Sequence, residues 1–277
     1  MGGCRVVASA ALYCNNSAPP LLTFSALAHP LCKPPLPRLP LTKYESPPMT
    51  TPTPALLSCI EIETAPAPRH AVIWLHGLGA DGGDFAPIVP ELGLPADLAV
   101  RFVFPHATTM PITCNNGYVM RAWYDILYFD NISRHVDLEG IKTSRSQIDA
   151  LIQREIDRGI PAANIVLAGF SQGGAMAYTT GLTYPHTLAG IIALSTYLPS
   201  QDYLAEHRHP ANAQTPIFAA HGSFDNVVPV ALGEMAAKTL QAHQQPVVWY
   251  TYPMMHSVCM EEIAEIGTWL TTRFGRG

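Results

Sequence analysis

The sequence predicts an α/β fold: a mainly parallel central sheet covered by helices on both faces. Three observations predict it. Short apolar runs recur at 71–75, 165–168 and 190–195, and further strand-like segments at 99–104, 217–220 and 247–252. Segments of helical period lie between several of them, notably 138–158, where Ile141, Ile148, Leu151, Ile152 and Ile156 share one stripe. Strands that alternate with helices at this spacing join most simply by right-handed crossovers between parallel neighbours.

In chain order, Cys59 to Glu63 alternates apolar and charged residues, as a half-exposed strand does. The apolar run 71–75 suits a central strand and ends in His76-Gly77-Leu78-Gly79. Residues 81–92 predict a short helix interrupted at Pro87 and Pro90, followed by a strand at 99–104. Residues 108–136 show one clear signal, the Asn116-Gly117 turn, beside Trp123 and Tyr124. After the 138–158 helix comes a strand from 165, then a helix ending before Pro185. A further strand at 190–195 leads into an expected loop at 199–213, where His207 and His209 flank Arg208 without a third ligand to suggest a metal. Strand 217–220, helix 231–244, strand 247–252 and a last helix carrying Ile263, Ile266, Trp269 and Leu270 complete the body. His243 is expected as a packed or capping side chain on its helix.

Between the strand from 165 and its helix stands Gly169-Phe170-Ser171-Gln172-Gly173, a G-x-S-x-G pattern. A chain that leaves a strand and enters a helix within so few residues turns so sharply that its apex is strained. The residues two places to either side then have no room for side chains. Ser171 would stand clear of the sheet at a helix N-terminus, where free N–H groups favour developing negative charge. The same bend is expected of the strand that runs into Gly77 and Gly79, which makes the Leu78 N–H and the Gln172 N–H the two donors of an oxyanion hole.

A serine hydroxyl needs a base, and the base needs an acid. In the α/β-hydrolase arrangement the order is Ser, acid, His, and the chemistry gathers at the carboxyl ends of the strands. Among the histidines after Ser171, only His256 follows both a strand end and a similarly placed acid, Asp225, five residues beyond the run ending at Ala220. The alternative for Asp225 is a cap on the helix that begins near Pro229.

Composition narrows the class further. Residues 1–48 hold Arg5, Lys33, Arg38 and Lys43 against Glu45, which leaves 12 basic and 20 acidic residues, a net of −8, in the rest. An acidic body without a basic cluster argues against nucleic acid as a partner. No run of 18 apolar residues is present, so no membrane span is expected. The six cysteines have no paired or metal-ligand spacing, the usage of a reducing compartment, and the cytoplasm is the expected location. Nine prolines within the first 48 residues predict that residues 1–54 form a disordered tail, with Met49 as an alternative start, while 55–277 form the catalytic domain. The Asn15 and Asn131 sequons carry little weight without a convincing secretory signal.

Five ordered motifs resemble the phospholipase/carboxylesterase family, which includes acyl-protein thioesterases and small bacterial carboxylesterases. They are His76-Gly77-Leu78-Gly79, Arg121-Ala122-Trp123-Tyr124-Asp125, Gly169-Phe170-Ser171-Gln172-Gly173-Gly174, His221-Gly222-x-x-Asp225-x-Val227-Val228-Pro229 and Tyr252-Pro253-x-x-His256. The resemblance runs from about Ile60 to the C-terminus. It implies a compact α/β-hydrolase without a large lid domain, acting on carboxylic esters, thioesters or lysophospholipids through an acyl-enzyme, with Ser171, Asp225 and His256 as the triad. No metal or organic cofactor is implied. Trp123, with Met120 and Tyr124, is a candidate acyl-pocket wall. The oligomeric state stays open, a dimer among the options. One departure stands out: Met255 occupies the place before the histidine where the family has glycine. An amidase or peptidase using the same triad, and a binding protein that kept the fold without turnover, remain as alternatives.

Overall fold

The structure, a computed structural model, describes residues 56–129 and 134–275. Its elements in order are β1 (Cys59–Glu63), β2 (His70–Leu75), a 3-10 helix (Ala86–Leu92), β3 (Val100–Pro105), β4 (Thr109–Ile112), β5 (Tyr118–Arg121), β6 (Ile126–Phe129) and β7 (Arg134–Val136). Then follow α1 (Leu138–Asp157), β8 (Ile165–Phe170), α2 (Gln172–Thr183), β9 (Gly190–Leu194), α3 (Gln201–His207), β10 (Ile217–Gly222), α4 (Val230–Ala242), β11 (Val247–Tyr252) and α5 (Met260–Phe274).

Seven strands form one sheet in the order β1-β3-β2-β8-β9-β10-β11, parallel throughout except for β1, which pairs antiparallel with β3. The interior strands are apolar at nearly every position because both faces are covered. Along β2, Ala71, Ile73 and Leu75 enter the core shared with α1, α2 and α4, while Val72 and Trp74 enter the opposite core with α5 and the 3-10 helix. Alternate side chains pointing to opposite faces produce this division. The two edges differ. At β1, Arg101 of the neighbouring strand pairs with Glu63 and the fully buried Glu155 of α1, while β11 leaves every residue at least partly exposed.

The α/β class, the parallel sheet and the lack of a large lid domain agree with the sequence reading. The 81–92 segment is a seven-residue 3-10 helix starting at Ala86, because Pro87 and Pro90 deny it successive α-helical hydrogen bonds. The 199–213 segment is not the expected loop. The Ser200 hydroxyl accepts from the Tyr203 N–H at 3.1 Å, and burial of Tyr203 and Leu204 holds the short α3 in place. Among the described residues of the 108–136 stretch, β4 and β5 pair antiparallel about a turn at Asn116-Gly117 with both φ positive (54° and 75°), and β6 pairs antiparallel with β7. The proline-rich tail and Asn131 lie outside the described residues. Cys59 and Cys259 are free thiols.

Register aligns the strand ends that matter. Leu75 of β2 stands opposite Gly169 of β8, Phe170 opposite Leu194 of β9, and Gly222 of β10 opposite Tyr252 of β11. The loops that leave β2, β8, β10 and β11 therefore emerge along one margin of the sheet.

Candidate active site

Ser171 sits between β8 and α2 with φ 55° and ψ −120°, a conformation that costs a non-glycine residue roughly 1–3 kcal/mol. The surroundings hold it there. Its N–H donates to Leu194 O at 2.8 Å, and its carbonyl accepts from Ala175 N at 3.1 Å and Thr196 Oγ1 at 2.6 Å. A Cβ on Gly169 would lie 2.2 Å from Gly173 O, and one on Gly173 would lie 2.2 Å from Leu75 O. The elbow thus closes only with glycine at both places.

The loop after β2 approaches from the other side, such that a Cβ on Gly77 would lie 3.5 Å from Ser171 Cβ. His76, buried at its base, has a fixed tautomer: Nδ1–H donates to Gly77 O at 2.7 Å, and Nε2 accepts from Ala107 N at 3.1 Å. Burial lowers its pKa to about 4, so the ring stays neutral near pH 7. Neither the Leu78 N–H nor the Gln172 N–H has an acceptor among the described residues. Both are free to donate beside Ser171.

Asp225 lies three residues past Gly222, because β10 continues through His221 and Gly222 rather than ending at Ala220. Its Oδ1 accepts from Val227 N at 2.9 Å and Val228 N at 2.8 Å, and its Oδ2 faces His256 Nδ1 at 2.7 Å. A carboxylate oxygen there requires Nδ1 to carry the proton, which leaves Nε2 as the basic nitrogen. The His256 ring packs on Phe170, the residue before the serine, with centroids 4.6 Å apart. Burial acts to raise the Asp225 pKa. Hydrogen bonds from His221 and His256, the positive charge His256 can carry and the Val228 N–H overcome that and hold it well below the usual carboxylate range. The two loops are tied by Ser223 N to Tyr252 O at 2.8 Å and Phe224 N to Met254 O at 3.0 Å.

The sequence reading brought these five residues to one margin of the sheet, and the structure places them there. Trp123, expected on an acyl-pocket wall, is fully buried beneath the β2 loop, with its indole N–H on His76 O at 2.9 Å. His207 and His209 serve backbone groups, Tyr203 O and Ala211 N. No group of three metal-ligating side chains forms among the described residues. The exposed His243 is the C-terminal cap residue of α4. Sequence reasoning missed His221, fully buried, whose Nε2–H donates to Val228 O at 2.8 Å and lies 3.4 Å from Asp225 Oδ2. The signal was available: His221 and His76 are each a polar residue at the end of an apolar strand, directly before a glycine.

This sheet, with a strained serine at the margin where its strands end, defines an α/β-hydrolase. Comparison with known proteins gives the family. The phospholipase/carboxylesterase profile matches residues 57–274. Acyl-protein thioesterase 1 of Neurospora crassa is 46% identical over 215 residues, covering 74% of this chain and 88% of that protein. The Saccharomyces cerevisiae protein of the same name is 36% identical over 208 residues, covering 73% and 92%. The crystal structure of Arabidopsis thaliana SOBER1 superposes with a TM-score of 0.69 at 31% identity, covering 74% of this chain and 99% of that one. The chain belongs to the phospholipase/carboxylesterase family and is a serine hydrolase of the esterase and thioesterase kind.

Proposed function

We propose that Ser171 is the nucleophile, His256 the general base and acid, Asp225 the group that orients His256, and the Leu78 and Gln172 N–H groups the oxyanion hole. The observation that carries this is the 2.7 Å contact between His256 Nδ1 and Asp225 Oδ2, with the same imidazole packed on Phe170 beside Ser171. Ser171 Oγ attacks the acyl carbon as its proton passes to His256 Nε2. The carbonyl oxygen becomes an anion held by the two N–H groups, and the tetrahedral centre collapses as His256 protonates the leaving alcohol or thiol. Water, deprotonated by His256, then releases the carboxylic acid and regenerates the serine.

Acyl thioesters and oxygen esters are the proposed substrates, in keeping with relatives named acyl-protein thioesterases. No helix among the described residues is long and apolar enough to cross a membrane, and we place the protein in the cytoplasm, acting on acyl substrates delivered in water or at a surface.

The test is hydrolysis of p-nitrophenyl esters of increasing acyl length, and of matched thioesters, by the full chain and by Ser171→Ala. The variant should lose most of a roughly 10⁶-fold triad contribution and keep only the roughly 10³ to 10⁴ that binding and the oxyanion hole supply. Turnover in the variant close to that of the unaltered chain sinks the assignment of Ser171. An anilide cleaved as fast as the matching ester would favour an amidase instead.

A further inference from the structure

The two proposed oxyanion donors belong to different elements: Leu78 lies on the loop after β2, and Gln172 opens α2. Their separation must hold to within about half an ångström if both are to meet one oxygen. Sequence neighbours cannot set it, because the two lie 94 positions apart (172 minus 78). We infer that the Gln172 side chain, Trp123 and His76 form a continuous brace that fixes the two donors relative to each other, so that these three are positioning residues of the oxyanion hole.

The brace can be followed bond by bond. The Gln172 amide is buried and places both ends on one dipeptide: Oε1 accepts from Trp123 N at 2.9 Å, and Nε2–H donates to Tyr124 O at 2.8 Å. The Trp123 carbonyl is taken by the Ser144 hydroxyl. Its indole Nε1–H then reaches across to His76 O at 2.9 Å. The last link is the most telling. His76 Nδ1–H holds Gly77 O at 2.7 Å, and that carbonyl belongs to the same planar peptide unit as the Leu78 N–H. A trans peptide points its C=O and N–H in opposite directions, so anchoring the oxygen aims the hydrogen. One path thus runs from the residue that carries one donor to the peptide that carries the other, and each link in it is a made hydrogen bond in a dry setting, where bending one is costly.

This rests on the proposed roles of Ser171 and the two N–H groups. The test uses the full chain with Gln172→Met, which keeps the backbone donor and most of the side-chain volume, and Trp123→Phe, which removes the indole donor and keeps an aromatic ring. It reads kcat, KM and the dissociation constant of an alkylboronic acid, whose tetrahedral adduct places an oxygen in the hole. Each variant should lose about tenfold to a hundredfold in kcat with KM within about threefold. Boronate affinity should fall by the same factor. The double variant should lose little more than the worse single one, because both cut the same path. Leu151→Ala, in the core of α1 away from the site, should lower the melting temperature and leave kcat unchanged, separating lost stability from lost positioning. Folded Gln172→Met and Trp123→Phe proteins with wild-type kcat and boronate affinity overturn the brace, as do losses that multiply in the double variant. Failure of the underlying reading shows differently, as near wild-type turnover in Ser171→Ala.

Discussion

The two halves of the site are built in opposite ways. On the nucleophile side, all twelve residues of α2 are buried, the elbow is wedged against β2 and β9, and the Gln172 and Trp123 polar groups are tied into the core. On the acid–base side, Asp225 and His256 ride on short loops from β10 and the edge strand β11, beside Phe224 and Met255, which are 66% and 54% exposed. Charge stabilisation gains from groups that do not reorganise. A base must face the serine oxygen in one step and the leaving group in the next, and a loop tolerates such adjustment. On the proposed assignment, the difference teaches that the anion site would be a property of the core, whereas the proton-transfer site would be mounted on it.

The strongest way to break that comparison is Asp225→Asn. The amide oxygen can still accept from Val227 N and Val228 N, so the loop keeps its shape, but an amide nitrogen facing His256 Nδ1 selects the wrong tautomer. Turnover should fall by about 10⁴-fold while the thermal midpoint, followed by circular dichroism, moves little. A large loss of stability would show that the acid–base side is as much a part of the core as the nucleophile side.

A second, smaller effect sharpens it through pH, because each half rests on a buried titratable group and the two act in opposite senses. His76, under the nucleophile half, has its pKa lowered from 6.5 to about 4 by burial. The unfolded chain binds that proton first, so the stability His76 contributes is complete above about pH 6.5 and is lost as pH falls through about 4. Glu262, in the first turn of α5 beyond the His256 loop, has its pKa raised from 4.5 to about 8 by burial, which outweighs the opposing effect of the Cys259 backbone N–H. Here the folded state holds the proton longer, so its contribution is complete below about pH 4.5 and is lost as pH rises through about 8. Glu262→Gln removes the alkaline loss. Calorimetric midpoints should therefore improve more at pH 8 than at pH 5, and equal shifts at both would argue against a protonated Glu262.

The smallest expected effect is at the rim. Met255 is exposed, so Met255→Gly should leave the fold intact and change relative rates across acyl lengths by less than about tenfold. An unchanged length profile would mean that Met255 stands clear of the acyl chain.

Legibility in the sequence follows the same division. The elbow, the β2 loop and the order of Ser171, Asp225 and His256 could be read because steric closure and strand ends leave few residue choices. The positions of α1 and α5 followed from apolar stripes, and those of α2 and α4 from their place after a strand. Residues 201–207 were hidden because a seven-residue helix burying only Tyr203 and Leu204 has no period to detect; the Ser200 cap was its one mark. The β4–β5 hairpin was obscured by Tyr118 and Val119, apolar residues that the structure leaves exposed. The buried supports of the site were harder still. Nothing local to Gln172 says that its amide meets Trp123 and Tyr124 across 49 and 48 positions, since such contacts exist only once the sheet has formed.

The strained apex also has an evolutionary consequence. At φ 55° a glycine would be unstrained where Ser171 is not, so the residue proposed as the nucleophile is one that its fold would be more comfortable without. Selection for stability alone drifts toward glycine at 171, and only selection for hydrolysis opposes it. In any lineage that carries this elbow, the first mark of a released catalytic requirement should therefore appear at the serine itself, while Gly169 and Gly173, which the turn needs regardless of chemistry, stay as they are.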